Sequence, residues 1–413
     1  LLGTRLVFNA FGTKIATPVC EQGINMRSSQ SFDYRTSSLI RALLISSSLV
    51  VMATQQSSAE DLALKDAVSM TGMALFLNSG APALTIAVVR GDESIVQGFG
   101  ETVPGNDTEP NGKSIFRLGS ISKVFATDVL TSLAADGKLK LTDPLAKYAP
   151  DGASVKQTGR PITLLDLATH SAGLPRELAD PSAKPSDNPF DAFNRDYYWK
   201  WIGSNAPAYV PGTTTLYSNF GYGLMGDALA KAGNSSFADL LKSRVFEAAS
   251  MADTTTALND EQKKRMMVGL DPFNKNDPNN IVPDIMYASA GVYSTADDMV
   301  KWMQWHLNPT AATMEAHTLD HTMWLPYDGL ERVVGTEVTG GEGMGLGWVV
   351  TMPRNGTPML LGKSGGLGGF MTYVVLSPNR KLGIFVVANR VNFGMFNDIR
   401  SSVHELAAEL GPQ

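Results

Sequence analysis

Cysteine is nearly missing from this chain of 413 residues, with Cys20 the only one. A single thiol excludes an intramolecular disulfide framework and a cysteine-based metal cluster. A basic excess is missing too. Lys and Arg number 34 against 40 Asp and Glu, a net charge of −6, whereas general nucleic-acid binders carry a positive surplus. No nucleic acid is therefore expected among the partners. Charged residues make up only 18% while 43% are hydrophobic, so a full core can form and disorder is not expected. No internal repeat is visible. The apolar stretch from Ala42 to Ala53 is shorter than the about 20 residues a bilayer-spanning helix needs.

That stretch nevertheless has a meaning. Arg35 and Arg41 precede it, and the small residues Ser57, Ser58 and Ala59 follow. A basic flank, a short apolar centre and small residues at the cleavage positions describe a secretory signal; a short buried helix is the plain alternative. Residues 1–59 are read as an export segment, with a natural start at Met26 and the mature chain beginning at Glu60. Cleavage there would remove Cys20 and leave 29 basic against 38 acidic side chains, a net charge of −9. An exported, cysteine-free, acidic chain fits a bacterial periplasm. Peripheral association with the inner membrane and the oligomeric state are left open.

Periodicity predicts a helix from Asp61 to Asn78, then a hairpin of Ala83–Val89 and Ser94–Phe99 around Gly91-Asp92. Ser120 sits where a turn led by Gly119 enters an apolar-periodic helix, Val124 to Ala135, which Gly137 closes. Thr163 is a candidate N-cap for a further helix towards His170. Strands are expected at Leu346–Val350, Phe370–Leu376 and Leu382–Ala388, the last two joined by Pro378–Lys381. A final helix should run from about Asn397 to Leu410. The expectation is an α+β fold, an antiparallel sheet flanked by helices. Residues 60–144 and 286–413 would form the sheet domain, and 145–285 an inserted, mostly helical domain.

Three short motifs, each occurring once, carry the chemistry: Ser120-Ile121-Ser122-Lys123, Tyr217-Ser218-Asn219 and Lys363-Ser364-Gly365. A serine hydroxyl is a poor nucleophile until a base takes its proton. At helical spacing Lys123 lies on the same face as Ser120, so its amine can reach the hydroxyl. An ordinary lysine is protonated at neutral pH, so Lys123 must be held neutral or must position a proton network. Tyr217 is the other candidate base, if Lys123 and Lys363 stabilise its phenolate. Asn219 offers an amide to hold a substrate carbonyl or orient Lys123. Lys363 offers a cation to a carboxylate, beside the Ser364 hydroxyl and glycines that let a substrate backbone approach. Each motif alone has a bland alternative: a surface helix pair, a turn before Gly221, a loop lysine. Together, in this order, they form the parts of a serine acyl-transfer site.

The order is that of serine penicillin-recognising enzymes. Phe116 through Lys123 resembles the nucleophile segment of class C β-lactamases and their DD-peptidase and esterase relatives. Gly100–Asn106, Asp143–Pro150, Pro161–Glu177, Gly291–Thr295 and Trp302-Met303-Gln304 are similar to AmpH-type D-alanyl-D-alanine carboxypeptidase/endopeptidases. The resemblance runs from about residue 70 to the C-terminus. It implies a β-lactamase/transpeptidase-like fold and an acyl-enzyme at Ser120, with Lys123 and Tyr217 moving its proton. It further implies substrate binding by Asn219, Lys363, Ser364 and Gly365, and an oxyanion hole from the backbone N–H groups of Ser120 and Gly366. No cofactor or metal is called for. Ser364 departs from the commoner threonine but keeps the hydroxyl.

The implied function is a periplasmic serine DD-peptidase that takes peptidoglycan stem peptides and binds β-lactams. A class C-like β-lactamase or a family VIII-type carboxylesterase would use the same parts. A non-hydrolytic penicillin- or cell-wall-binding protein would stop at the acyl-enzyme. Two decoys remain. Gly362 through Gly366 also spells G-x-S-x-G, the nucleophile elbow of α/β-hydrolases, but the only downstream acid and histidine considered, Asp398 and His404, are poorly spaced for a triad. His317 and His321 could share a metal, with Asp320 between them and His306 distant in sequence; a surface pair is the expectation. Met299, Trp302, Met303 and Trp305 read as helix core.

Overall fold

Eight strands build one antiparallel sheet. Their spatial order is Glu93–Gly100, Ala83–Arg90, Leu382–Ala388, Phe370–Ser377, Leu360–Leu367, Val349–Thr351, Gly343–Met344 and Leu325–Pro326. This architecture comes from a computed structural model that describes residues 62–335, 340–354 and 356–411, all within a compact unit spanning Ala59–Gln413. The expected export segment, 1–59, lies outside the described residues.

The central strands are buried on both faces, which is why they read as continuous apolar runs. In Ala83–Arg90, side chains alternate between two cores. Leu84, Ile86 and Val88 pack with Leu64, Val68 and Leu75 of the 62–79 helix and with Ile399, Val403 and Leu406 of the terminal helix, Phe393–Leu410. Ala83, Ala87 and Val89 belong to the other core. There they join Phe125 and Val129 of the Ser122–Ala135 helix, Leu224 of the Asn219–Gly233 helix and Trp302 of the Ala296–Leu307 helix. The α+β expectation holds: an antiparallel sheet lies between two layers of helices. No helix among the described residues is long and apolar enough to cross a membrane.

The first hairpin forms as expected, with Arg90 paired to Glu93. Strands 370–377 and 382–388 also stand where the sequence puts them. The terminal helix begins earlier than expected, at Phe393, because the Asn392 side chain caps it by accepting from Gly394 N at 3.1 Å. The expected 346–350 strand is broken. Gly347 takes φ +75° and donates its N–H to Ala168 O at 2.9 Å, so residues 345–348 leave the sheet. Only Val349–Thr351 rejoins it beside Leu360–Gly362.

Candidate active site

The Ser120 turn is wedged against the sheet. It follows the short strand Ile115–Arg117 as a single 3-10 turn, Gly119–Ile121, and runs directly into the Ser122–Ala135 helix. Thr372 Oγ1 donates to Leu118 O at 2.8 Å, which ties the turn to strand 370–377. Val292 N donates to Ser122 Oγ at 3.1 Å on the other side. Two glycines permit the closeness. Gly119 has φ +55°, and a Cβ there would lie 2.6 Å from Gly366 N. A Cβ on Gly365 would lie 2.1 Å from Leu118 O and 3.1 Å from Ser120 N. The Ser120 and Gly366 backbones are therefore neighbours, as an oxyanion hole built from both requires.

Lys123 is fully buried and its Nζ reaches three oxygens: Ser120 Oγ at 3.2 Å, Asn219 Oδ1 at 2.5 Å and Ser289 O at 2.8 Å. The two carbonyl oxygens can take two hydrogens of the amine. Its third direction faces Ser120 Oγ, where a neutral amine offers a lone pair and an ammonium a hydrogen.

Tyr217 and Asn219 arrive together. Tyr217 follows the short strand Thr214–Leu216, Ser218 caps the next helix by accepting from Gly221 N at 2.8 Å, and Asn219 is its first residue. The loop from His170 to Glu177 braces this corner. Ser218 N donates to His170 Nδ1 at 3.1 Å, Ser218 Oγ to Pro175 O at 2.6 Å, and Asn219 N to Arg176 O at 2.8 Å. Asn219 Nδ2 donates to Glu177 Oε1. The His170 ring packs 4.3 Å from that of Tyr217. Burial, reinforced by Lys123, Lys363 and Arg176, holds the His170 imidazole well below its ordinary pKa, so it stays neutral and its Nδ1 is an acceptor.

Three cations surround the Tyr217 ring: Lys123 Nζ at 4.7 Å, Arg176 Cζ at 4.9 Å and Lys363 Nζ at 5.3 Å from its centroid. Negative charge on the phenol oxygen is favoured in such a setting. Lys363 lies within strand Leu360–Leu367, whose pairing with Val349–Thr351 stops at Gly362. From Lys363 onwards the strand edge faces the Ser120 turn. Register sets Lys363 opposite Val374 and Ser364 opposite Tyr373, so the two side chains start from opposite faces of the sheet.

The sequence-predicted residues Ser120, Lys123, Tyr217, Asn219, Lys363, Gly365 and Gly366 thus meet around one cleft, and Ser364 lies in the same strand with its side chain starting from the opposite face. His170, Arg176, Glu177 and the Ser289 carbonyl were not singled out as site residues. The only signal for the first three was their position inside the Pro161–Glu177 segment.

Both decoy patterns read differently in the structure. Ser364 sits inside a strand of an antiparallel sheet, not on a strand-to-helix elbow, and His404 Nε2 pairs with Tyr373 OH at 2.9 Å. The surface reading of His317 and His321 is overturned. His317 is 2% exposed, and both rings stack near the buried His306, at 4.8 and 5.2 Å. The helix break at His321 and the fold of the Ala296–Leu307 helix bring together residues that are distant in sequence. Trp302, Met299 and Met303 are helix core, as expected.

Similarity to known proteins fits this geometry. The Beta-lactamase family model matches residues 60–409. The chain belongs to the β-lactamase family. It is 34% identical over 383 residues to the D-alanyl-D-alanine-carboxypeptidase/endopeptidase AmpH of Escherichia coli (strain K12), covering 91% of this chain and 97% of that one. It is 28% identical to a β-lactamase of the same strain, over 84% of this chain and 93% of that one. A crystal structure of a β-lactamase/D-alanine carboxypeptidase from Yersinia pestis, complexed with citrate, matches with a TM-score of 0.76 at 34% identity. That match covers 84% of this chain and 99% of the Yersinia chain.

Proposed function

We propose that this chain is an exported serine DD-peptidase acting on peptidoglycan stem peptides, as a carboxypeptidase and an endopeptidase, through an acyl-Ser120 intermediate. The observation that carries this reading is the 3.2 Å approach of Lys123 Nζ to Ser120 Oγ, beside Tyr217 and below the open edge of the Lys363 strand. The 34% identity to a D-alanyl-D-alanine-carboxypeptidase/endopeptidase supports the substrate class.

Ser120 Oγ attacks the carbonyl carbon of the penultimate D-alanine. Its proton passes into the Lys123–Tyr217 pair, while the N–H groups of Ser120 and Gly366 hold the oxyanion. Collapse breaks the peptide bond, the stored proton goes to the leaving amine, and D-alanine departs. Water then cleaves the ester, returning the proton to Ser120 and releasing the shortened peptide. Asn219 holds a peptide carbonyl, and Lys363 with Ser364 and Gly365 holds the terminal carboxylate. A β-lactam enters the same site because its amide occupies the position of the scissile bond. Export through residues 1–59, with cleavage before Glu60, would deliver the enzyme to a periplasmic substrate. The cleft would lie between the sheet lobe, 60–144 and 286–413, and the helical lobe, 145–285, since the three motifs come one from each segment.

Intact mass after penicillin exposure, with its decay over time, tests the site in wild type and Ser120→Ala. One acyl adduct on wild type and none on the variant is expected. A muropeptide digest tests the substrate: free D-alanine and cleaved crosslinks are expected, and release of neither would sink the peptidase reading. The 28% identity to a β-lactamase favours one second reading, which rapid, continued cephalosporin hydrolysis without muropeptide cleavage would establish. An adduct that never decays would mark a penicillin-binding protein without turnover.

A further inference from the structure

Behind the active-site helix, three histidines and two aspartates lie together, all buried but the half-buried His321. Asp128 comes from the Ser122–Ala135 helix and His306 from the end of the Ala296–Leu307 helix. His317 and Asp320 come from the Met314–Asp320 helix, and His321 follows it directly. His306 Nε2 stands 3.2 Å from Asp128 Oδ1, close but without hydrogen-bond geometry, and its Nδ1 lies on the other side of the ring. That Nδ1 faces His321 Nε2 at 3.0 Å. Ligand atoms of His306, Asp320 and His321 all lie within 4.8 Å of one another.

We propose that His306 Nδ1, His321 Nε2 and the Asp320 carboxylate form a binding site for one first-row divalent cation of the zinc type. Two imidazoles and a carboxylate are the borderline donor set that such a cation takes. Two nitrogens each about 2.05 Å from a tetrahedral zinc stand about 3.3 Å apart, so the observed 3.0 Å needs only a few tenths of an ångström of opening. The outer layer is already built. Around Asp320, Trp348 Nε1 donates to Oδ2 at 2.8 Å and Thr127 Oγ1 to Oδ1 at 3.1 Å, and Asp128 lies beside His306. Each carboxylate oxygen keeps a further lone pair.

Burial supplies the second argument. Asp128 and Asp320 are 2% and 0% exposed, and no Lys or Arg among the described residues forms an ion pair with either. Buried carboxylates are normally paired or bound to a metal. Both ring nitrogens of His317, stacked on His306, have no hydrogen-bond partner. The cluster therefore has electron pairs to spare and no cation to meet them. A surface cleft of about 390 Å³, lined by Asp128, Ser132, Asp136, Arg244, Trp305 and Ala316, opens beside Asp128 without reaching the three ligands. A cation here would tie the Ala296–Leu307 helix to the Met314–Asp320 helix, beside Asp128 and Thr127 of the helix that carries Lys123 and away from Ser120. Its role is structural.

The purified full chain, stripped with chelator and then dialysed against Zn²⁺ or Co²⁺, tests this, with metal content and the visible Co²⁺ spectrum as readouts. One ion per chain is expected, with the intense d–d bands of low-symmetry nitrogen and oxygen ligation, and a melting temperature that rises with free Zn²⁺. His321→Gln should lower Zn²⁺ affinity at least about a hundredfold, since losing even an orienting partner costs about 10- to 100-fold. His404→Gln, remote from the cluster, should not change it. Wild type that takes up no ion, or His321→Gln that binds as wild type does, overturns the proposal. Should His321→Gln fail to fold, the wild-type stoichiometry and the imidazole signature in X-ray absorption decide alone.

Discussion

Ser120, Lys123 and Tyr217 carry the proposed acyl-transfer site through placement alone, since each is an ordinary residue by type. Lys123 is fully buried against two carbonyl oxygens and one hydroxyl, and Tyr217 is ringed by three cations. Tyr217→Phe keeps the ring and its packing on His170 but removes the oxygen on which charge would gather. Acylation by penicillin should slow by about 10²- to 10⁴-fold, the usual contribution of a positioned proton acceptor, with melting temperature nearly unchanged. A stopped-flow acylation rate within threefold of wild type would exclude Tyr217 from proton transfer. Gly119→Ala is a second probe. Its backbone is left-handed, and the new Cβ would press within 2.6 Å of Gly366 N, so the two N–H groups must separate. Loss of one such donor costs about 10²- to 10³-fold, and the acylation rate should fall in that range while the sheet persists. The residues that could be read from the sequence were those inside contiguous motifs, where local spacing already implies contact. His170, Arg176 and Glu177 were not legible as site residues. They act through the corner they brace, and a one-dimensional pattern does not reveal where a loop folds back.

Elements obeyed their local chemistry where that chemistry was complete. The Thr163 helix was legible because its N-cap signal is real. Thr163 and Asp166 form a reciprocal capping box, and Asp166 also takes two hydrogen bonds from Arg160 at 2.7 Å. This short helix leads into His170, whose φ of +57° ends it and turns the ring towards Tyr217. Thr163→Ala should cost about 1 kcal/mol by chemical denaturation, an amount typical for a lost cap. The broken 346–350 strand was not legible, because its local pattern is a good strand and a tertiary bond from Gly347 N to Ala168 O overrides it. The terminal helix adds a pH dependence. His404 holds Tyr373 across the helix–sheet interface, and burial, with Arg400 and Arg354 nearby, pushes its imidazole down to about 4. The unfolded chain takes up that proton near pH 6.5, which the folded chain refuses until about pH 4. Stability contributed this way is present above about pH 6.5 and lost as pH falls towards 4. His404→Gln should therefore show a shallower fall of melting temperature between about pH 7 and 5 than wild type. Equal slopes would assign the acid sensitivity elsewhere.

For the whole molecule, the sheet closes only when the two ends of the folded unit meet. Leu84 pairs with Ala388 and Arg90 with Leu382, and Asn389 Oδ1 accepts from Ala83 N at 2.7 Å. Such distant pairing was legible as strand content, since both runs are apolar and β-branched, but not as neighbourhood; the order of strands is a property of the closed fold. The packing of two successive helices likewise brought His306 to Asp320 and His321. Closure of the sheet also defines the smallest active chain. Every residue of the described site lies between His170 and Gly366 or in the Ser120 turn and the helix that follows it, and the sheet that supports them needs nothing before the 62–79 helix or after Phe393–Leu410. Residues 60–413, expressed alone, should fold cooperatively and take one penicillin adduct at Ser120 at the wild-type rate. Cutting instead before Leu382 removes the strand between Ala83–Arg90 and Phe370–Ser377, splits the sheet and exposes both of its apolar faces. That shorter chain should aggregate and form no adduct. A soluble, acylating chain lacking 382–413 would show that the Ser120 turn is held by something other than this sheet.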